Sequence, residues 1–338
     1  MALARQRDVT DVRRGLSAWS GESVGELTQP SAGGLSSDTY LFQAGGRDLV
    51  ARLPPLGEGL FPSYNLAAQA FVMEALGEHG VVPVPEVVEY VDDEDVLGAP
   101  FLVMARVPGR VPTDNPSYLV DGWVHDAAPD DQRALHDAFG SVCARVNMCD
   151  WDAMGLTFLA RPGGTGLDAE IAWWTQYLDW AAAGADLAPV RDALAWCAAQ
   201  APTDPLPPAL LWGDVRIPNI VFDDAFQPAA VLDWEMASIG PAEIDLGWFL
   251  AIHKMSVGVG ATTELPGFRP PDEFVAHYET QLGRPLVDLR WFEAWGAFRS
   301  AAIMVRLAVL LREIGLVDDL RLQERNPSLK LLRGLIGS

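Results

Sequence analysis

Three oxygen-bearing side chains lie within one short stretch of this sequence, residues 211–234. Asp214 sits in a polar Trp-Gly-Asp turn directly after an apolar run, Asn219 follows five residues later, and Asp233 comes fourteen residues after that. A carboxylate in such a turn can accept the proton of an attacking hydroxyl group. An amide oxygen and a carboxylate are hard ligands that suit Mg²⁺ carrying nucleotide phosphates. The spacing therefore predicts a phosphoryl-transfer site with Asp214 as the catalytic base and Asn219 and Asp233 as metal ligands.

The residues between these groups predict a hairpin. Two short apolar runs, Ile220–Phe222 and Ala229–Leu232, are separated by a polar turn that contains a proline. Such a hairpin would bring the carboxylate of Asp233 beside the amide of Asn219. Arg216, two residues after the base, is placed to offset charge on the transferred phosphoryl group, so we interpret it as a second catalytic residue.

These motifs resemble those of a known family. The segment WGDVRIPN (212–219) is similar to the HGDxxxxN catalytic loop of the aminoglycoside phosphotransferase-like kinases, and VLDWE (231–235) is similar to their metal-binding strand end. The longer segment LDWEMASIGPAEIDL (232–246) is most similar to the phosphotransferase domains related to acyl-CoA dehydrogenase-associated kinases. The resemblance runs from about Leu27 to about Ala251.

The resemblance implies a fold and further roles. It implies an α+β, two-lobed protein-kinase-like fold with a small β-rich N-lobe and a larger, mainly helical C-lobe. We place the nucleotide-binding lobe, with a leading helix, at residues 1–108 and the catalytic and acceptor-binding lobe at 109–338. Asp245 matches an aspartate that supports the catalytic loop, and Glu235 is a candidate contact to metal or acceptor. One departure is plain, because the family's histidine before Gly-Asp is Trp212 here.

A glycine- and serine-rich segment, SAGGLSSDTY (31–40), separates two strand-like runs. Gly33 and Gly34 permit backbone amides to face phosphates, and Ser36 and Ser37 add hydroxyl groups. By itself the segment is more typical of a flexible hairpin turn. Together with the downstream motif it predicts a phosphate-binding loop.

Arg52 is the predicted contact to the nucleotide's α- and β-phosphates. The segment DLVARLPP (48–55) resembles the family's VLRxPP strand, so Arg52 takes the position where kinases hold a lysine, and its planar fork can bind phosphate. The helix position that carries a partner glutamate in the family is Gln69 here, so a hydrogen bond from the Arg52 guanidinium to the Gln69 amide oxygen could replace the ion pair. The alternative is an ordinary surface arginine on a strand.

A buried-strand pattern at Phe101–Met104, followed by Ala-Arg-Val-Pro-Gly, predicts the hinge between the lobes. Backbone groups of Ala105 and Val107 would pair with the adenine edge, and Met104 would flank the ring. The alternative is a plain exit from a strand into a loop.

Composition and charge narrow the class of protein. The chain has 338 residues, of which 49% are hydrophobic and 21% charged, which is ordinary for one large domain or two lobes. Lysine and arginine number 24 against 46 acidic residues, and the net charge of -22 disfavours a nucleic-acid partner. The acidity would suit a cationic acceptor such as an aminoglycoside, but a solvated acidic surface is the simpler explanation.

Cysteine usage and hydropathy bear on location. Cys143, Cys149 and Cys197 are too few and too unpatterned for a disulfide framework or a structural zinc site, so we expect a cytoplasmic protein. The charged N-terminus lacks the apolar core of a signal peptide, and the apolar run Ala297–Leu311 is interrupted by two arginines. We therefore expect no membrane span.

Apolar residues recur at helical spacing in several segments: 4–20, 65–79, 130–147, 168–183, 247–253, 274–282 and 291–316. The helix at 168–183 carries an aromatic stripe of Trp173, Tyr177 and Trp180, which is more typical of core packing than of substrate stacking. A stretch rich in Gly, Thr and Pro at 256–271 predicts a loop. The resemblance implies that this loop shapes the acceptor pocket.

The expected activity is Mg²⁺-dependent transfer of the γ-phosphate of ATP or GTP to a hydroxyl group of a small molecule. Two acceptor classes stay open: an aminoglycoside-like cation, or a hydroxyacyl-CoA or other lipid-metabolic alcohol. A third hypothesis, motivated by Trp212 and Gln69, is a catalytically silent nucleotide-binding scaffold. The sequence fixes neither the nucleotide nor the oligomeric state.

Overall fold

The computed structural model describes residues 7–30, 36–185, 187–259, 264–316, 323 and 326–337. Its N-terminal part is built on one antiparallel sheet of order β1-β2-β4-β3, with strands β1 (Asp38–Ala44), β2 (Arg47–Leu53), β3 (Val87–Val91) and β4 (Phe101–Ala105). The β-rich N-lobe is confirmed.

Strand β2 explains where Arg52 points. Leu49, Ala51 and Leu53 are buried in the core of this lobe, so the alternating side chains of Val50 and Arg52 lie on the opposite face of the sheet. A two-residue turn of Gly45 and Gly46, both at positive φ, joins β1 to β2. Because side chains alternate between the two faces of a strand, Arg52 points away from this core.

Three helices accompany the sheet: α1 (Val9–Ser20), α2 (Leu66–Glu78) and α3 (Glu94–Leu97). Asp8 accepts a hydrogen bond from the Thr10 N–H and so caps α1. The helix predicted at 4–20 therefore begins later, at Val9. Asn65 caps α2 in the same way through the Ala68 N–H, in agreement with the predicted helix.

In its described residues the C-lobe is mainly helical, with α4 (Pro129–Met148), α5 (Leu167–Ala181), α6 (Ala188–Ala199), α7 (Glu243–Val259), α8 (Pro271–Leu282), α9 (Leu289–Glu313) and α10 (Pro327–Ile336). Helices α7 and α9 cross closely at Gly247 and Gly296. A Cβ atom on either glycine would clash with the backbone of the other helix, so only glycine permits this approach. Helix α7 extends beyond the predicted 247–253 at both ends. The start of the loop predicted at 256–271 is therefore helical.

Two pairs of strands flank the predicted catalytic and metal-binding residues. Strand β5 (Pro208–Leu211) pairs with β8 (Ser238–Pro241), and β6 (Ile220–Phe222) pairs with β7 (Pro228–Val231), which confirms the predicted hairpin. The loop between β5 and β6, residues 212–219, contains Asp214 and ends in a 3₁₀ turn.

Helix α9 is the one helix of the described segments that is long and apolar enough to cross a membrane. Inside the protein, however, 72% of its most apolar stretch is buried. Two buried arginines of this helix donate hydrogen bonds to backbone carbonyls: Arg299 to Gly213 and Arg306 to Gly59. Such burial is typical of a core helix.

Candidate active site

Asp245 fixes the backbone of the loop that contains Asp214. Its two carboxylate oxygens accept hydrogen bonds from the backbone N–H groups of Trp212 (2.8 Å) and Gly213 (3.0 Å). A third hydrogen bond comes from the Asn147 amide on α4 (2.9 Å). Burial raises the pKa of Asp245, and these three donors oppose the rise. The first turn of α7 is thereby joined to the loop.

Trp212, which replaces the family's histidine, joins the two segments of the site. Its indole N–H donates to the Leu232 carbonyl at 2.8 Å, and its ring is fully buried, with its centroid 5.9 Å from that of Trp234. Leu232 directly precedes Asp233. The departure from the family's motif therefore leaves both N–H groups of Trp212 hydrogen-bonded.

The Asp214 carboxylate is held by three side chains. Arg216 Nε lies 3.0 Å from both oxygens, the Asn219 amide donates at 2.8 Å, and the indole N–H of Trp248 donates at 3.0 Å. Sequence reasoning missed Trp248. The signal that was available is its position on α7, one turn after Asp245, where residues share a helix face.

Arg216 is fixed between two carboxylates. Its Nη1 donates to Asp114 at 2.8 Å, while its Nε contacts Asp214. Burial opposes the charged form, but Asp214, Asp114 and Asp233 together raise the pKa of the Arg216 guanidinium. Asp114, in the segment between β4 and α4, was not predicted, because nothing in its local sequence indicates a contact 102 residues away.

Asn219 and Asp233 meet through the β6–β7 hairpin. The Leu232 N–H donates to the Asn219 carbonyl at 2.8 Å. The side-chain NH₂ of Asn219 donates to the backbone and side chain of Asp214, which leaves its amide oxygen as the acceptor. Asp233 has φ 63° and ψ 64°, a left-handed conformation that is uncommon outside glycine and that concentrates at functional sites.

Arg52 lies between the predicted phosphate loop and the predicted metal ligand. Its Nε donates to Ser37 Oγ at 3.2 Å and its Nη2 to Asp233 at 2.9 Å, while Glu235 Oε2 lies 3.6 Å away. The hydrogen bonds described for Arg52 thus go to Ser37 and Asp233, rather than to the predicted partner Gln69. The surface-arginine alternative is wrong, since the side chain is only 12% exposed.

Glu235 follows Asp233 in a 3₁₀ turn, Trp234–Met236. Burial and the neighbouring Asp233 together raise the pKa of Glu235 to about 8, although Arg52 and a hydrogen bond from Ser36 oppose the rise. In the described part of the chain, Glu235 Oε2 is buried without a hydrogen-bond partner. The same oxygen is nevertheless ion-paired, since it lies 3.6 Å from Nη2 of Arg52.

The structure describes only some of the other residues that were predicted to bind the nucleotide. Gly33 and Gly34 lie outside the described residues, and Ser36 is buried near Glu235. At the predicted hinge, the Ala105 N–H already donates to the Glu86 carbonyl at 2.8 Å within the sheet. The Ala105 carbonyl is the backbone group that this hydrogen bond leaves for the predicted contact with adenine, and that contact stays a prediction.

Met104 and Val107 complete the predicted hinge. Met104 is buried in β4 opposite Val50, and Val107 is half-buried just after the strand ends. Their contact with adenine stays a prediction.

The oxygen ligands fit a magnesium ion that also binds phosphates. Asn219 offers an amide oxygen and Asp233 a carboxylate already paired with a cationic side chain. Within the described ranges, no cluster of three or more His, Cys, Asp or Glu side chains forms a self-sufficient metal site. Magnesium in nucleotide sites is commonly held by one or two protein oxygens together with phosphates. The fold and the site define a kinase-like phosphotransferase.

Comparison with known proteins gives the family. The chain belongs to the phosphotransferase enzyme family, whose sequence profile matches residues 27–281. It is 28% identical to acyl-CoA dehydrogenase family member 10 of Mus musculus and 29% identical to family member 11 of Gallus gallus, each over 80% of this chain. The matches cover 25% and 35% of those proteins, so the chain spans about a third or less of their length.

Solved structures share the fold. A Ralstonia eutropha protein, provisionally described as an aminoglycoside phosphotransferase, has a TM-score of 0.70 at 24% identity over 95% of this chain and 94% of that one. A thermostable mutant of aminoglycoside phosphotransferase APH(4)-Ia, in complex with AMP-PNP and hygromycin B, has a TM-score of 0.61 at 17% identity over 97% and 100%. These comparisons confirm the predicted resemblance and the two-lobed kinase-like fold.

Proposed function

We propose that this protein transfers the γ-phosphoryl group of ATP or GTP to a hydroxyl group of a small molecule. One observation carries the proposal. The Asn219 side-chain amide donates a hydrogen bond to the Asp214 carboxylate, and the Asn219 carbonyl accepts one from the N–H of Leu232, the residue before Asp233. The complex of APH(4)-Ia with AMP-PNP and hygromycin B supports a nucleotide and a small-molecule acceptor.

Asp214 orients the acceptor hydroxyl and accepts its proton. A bond forms between the acceptor oxygen and the γ-phosphorus, the bond from that phosphorus to the β,γ-bridging oxygen breaks, and the nucleoside diphosphate leaves with the bond's electron pair. Arg216, fixed by Asp114, supplies positive charge beside the transferred group. Trp248 holds the carboxylate of the base in place.

Asn219 and Asp233 would hold the magnesium ion, which would neutralise phosphate charge when bound. Arg52 would then exchange its contact with Asp233 for the α- and β-phosphates, beside Ser37 and the segment of Gly33 and Gly34. This exchange is supported by the position of Arg52, which contacts the phosphate-loop serine and the metal ligand at once.

Two further features belong to the proposal. The lobes divide near residue 108, shortly after β4 ends at Ala105. A cytoplasmic location is supported by the three cysteines, which are all free thiols in the structure.

The acceptor can be an alcohol of acyl metabolism, since the acyl-CoA dehydrogenase relatives favour a hydroxyacyl compound over an aminoglycoside. The scaffold alternative loses its main motivation. Trp212 hydrogen-bonds to Asp245 through its backbone N–H and to the Leu232 carbonyl through its indole N–H. Arg52 pairs with Asp233 in place of Gln69.

The proposal is tested with γ-labelled ATP and GTP, with and without Mg²⁺, across hydroxyacyl-CoAs, simple alcohols and aminoglycosides. Wild-type protein is compared with Asp214→Asn. A labelled product made only by wild type and only with Mg²⁺ is expected. Tight nucleotide binding without any Asp214-dependent transfer, to acceptor or to water, would instead indicate a binding protein.

A further inference from the structure

Helix α9 buries two arginines on the same face, seven residues apart. Arg299 is 1% exposed and Arg306 is 2% exposed. A guanidinium stays protonated in proteins, so its burial carries a large desolvation cost. Packed apolar side chains of similar volume are often at least as stabilising as a buried ion pair. The reason for burying each arginine has therefore to be found in its specific contacts.

Arg299 makes few polar contacts for a buried cation. Its Nη2 donates to the Gly213 carbonyl at 3.3 Å, and its Nε lies 4.0 Å from the Glu170 carboxylate, too far for a hydrogen bond. In the described part of the chain, Nε and Nη1 have no hydrogen-bond partner. Glu170 already accepts hydrogen bonds from Arg161 and from the Trp174 indole. The ion pair with Glu170 is thus too loose to explain why Arg299 is buried.

The closest contacts of Arg299 lead to the proposed base. Its guanidinium lies 4.9 Å from the centre of the Trp248 ring, and the indole N–H of Trp248 donates to Asp214 at 3.0 Å. Its hydrogen bond goes to Gly213, the residue directly before Asp214. Cation–π attraction is strongest at tryptophan rings and increases when the cation is desolvated. Arg299 therefore contacts both the peptide that precedes the base and the indole that orients the base.

Trp174 and nearby carboxylates fix the position and the charge of Arg299. The Trp174 ring lies 5.0 Å from the guanidinium, which therefore lies between the rings of two tryptophans. Burial lowers the pKa of the Arg299 guanidinium, and the carboxylates of Glu170, Asp245 and Asp214 oppose this fall. The guanidinium is thus held in one place from α5 and α7.

We propose that Arg299 is a positioning residue for the base. It holds the Gly213 peptide and the Trp248 indole, and through them it keeps the Asp214 carboxylate in the orientation that accepts the hydroxyl proton. Because Arg299 is almost fully buried, nucleotide and acceptor do not reach it. The inference rests on the proposed function and adds a residue of α9 to the machinery of that site.

Arg306 supplies a matched control on the same helix. Its guanidinium also lies beside a tryptophan ring, 4.6 Å from the centre of Trp180, and it also donates to a backbone carbonyl, that of Gly59. Neither contact involves the loop that contains Asp214. Arg299→Met and Arg306→Met each remove a buried charge and keep an unbranched side chain. Arg299→Lys keeps a cation and a hydrogen-bond donor but loses the planar guanidinium.

The test uses the full chain with Mg²⁺ and ATP, and water is the acceptor. Steady-state hydrolysis gives kcat and the nucleotide KM. Nitrogen-15 spectra of the tryptophan indoles report the hydrogen bond between Trp248 and Asp214. Trp248→Phe assigns the Trp248 resonance, and Asp214→Asn shows how far it moves when the carboxylate is lost. Urea unfolding of each variant measures stability separately.

We expect Arg299→Met to lower kcat at least about tenfold with nucleotide KM within about twofold, since a misplacement of about 1 Å can cost a factor of about 100. The Trp248 resonance should move in the same variant. Arg299→Lys should lie between Arg299→Met and wild type in both readouts, and it decides the question alone if Arg299→Met does not fold. Arg306→Met should keep the wild-type kcat and the wild-type Trp248 resonance.

Three results would overturn the inference. The first is a wild-type kcat in the Arg299 variants, with or without a loss of stability. The second is an unmoved Trp248 resonance in those variants. The third is an equal fall of kcat in Arg306→Met, which would mean that any buried charge on α9 has the same effect.

The proposed function can fail separately from this inference. If wild type binds Mg²⁺ and AMP-PNP but shows no Asp214-dependent hydrolysis or transfer, the kinase assignment fails. The Trp248 resonance still decides in that case, because it moves in Arg299→Met and not in Arg306→Met only if Arg299 acts on the contact between Trp248 and Asp214.

Discussion

The carboxylates of Asp214 and Glu235 both belong to the candidate active site, but their surroundings differ. Asp214 receives hydrogen bonds from Arg216, Asn219 and Trp248, so its orientation is set before any ligand binds. Glu235 Oε2 is buried without a hydrogen bond among the described residues and lies 3.6 Å from the Arg52 guanidinium. The comparison indicates that three hydrogen-bond donors of the protein orient the Asp214 carboxylate, whereas this oxygen of Glu235 has only the charge of Arg52 beside it.

The largest expected effect comes from removing the base. Asp214→Asn keeps the size of the side chain and loses the proton acceptor, so kcat should fall about 10³-fold, in the range of general base catalysis. Steady-state transfer from ATP is the measurement. A fall of less than tenfold would show that Asp214 is not the base.

Removing the Asp245 carboxylate, which binds the backbone of the loop before Asp214, should mainly lower the free energy of unfolding. Asp245→Ala leaves the N–H groups of Trp212 and Gly213 buried without an acceptor, so the free energy of unfolding should fall by about 3 kcal/mol. Urea unfolding measures this fall, with Asp204→Ala at an exposed position as the control. Equal stability of the two variants would contradict the supporting role of Asp245.

Glu235 should make stability depend on pH in the absence of Mg²⁺. The pKa of Glu235 is raised to about 8 by burial, from 4.5, so between these values the folded state binds more protons than the unfolded state. Stability contributed by the protonated form is therefore present at low pH and is lost as pH rises through this window, by at most about 1.4 kcal/mol per pH unit. Unfolding from pH 5 to 9 in EDTA should show this slope, and Glu235→Gln should flatten it; an unchanged slope in the variant would exclude Glu235 as its source.

The smallest effect is expected at Trp248. Trp248→Phe removes one hydrogen bond to the Asp214 carboxylate and keeps an aromatic ring, so kcat should fall about tenfold with little change in KM. Trp196→Phe on α6 is the control, and an equal effect of both variants on kcat and KM would mean that Trp248 is structural only.

The sequence predicted what is local. The β6–β7 hairpin and the catalytic loop follow from spacing and turn residues within about 20 positions, and the structure brings Asn219 and Asp233 together as the pattern required.

Contacts between distant segments were not predictable in the same way. Trp248 and Asp114 reach the site through tertiary packing, and a cavity beside Glu235 is lined by α2, α5 and three other segments, at residues 61–65, 158–162 and 234–237. The engaged N–H of Ala105 depends on the pairing of strands in the sheet, which a pattern of apolar residues does not specify. Single-sequence reasoning therefore predicted the local motifs of the candidate site better than the distant residues that contact them.

The most direct measurement is the calorimetric affinity for Mg²⁺ and AMP-PNP in wild type, Asp214→Asn and Asp233→Asn, combined with single-turnover transfer from ATP in each. If Asp214 is the base and Asp233 a metal ligand, Asp214→Asn binds within about twofold of wild type but does not transfer, while Asp233→Asn binds at least about tenfold more weakly, a loss of about 1.4 kcal/mol. Equal loss of nucleotide affinity in both variants, or transfer by Asp214→Asn at the wild-type rate, would contradict the assigned roles.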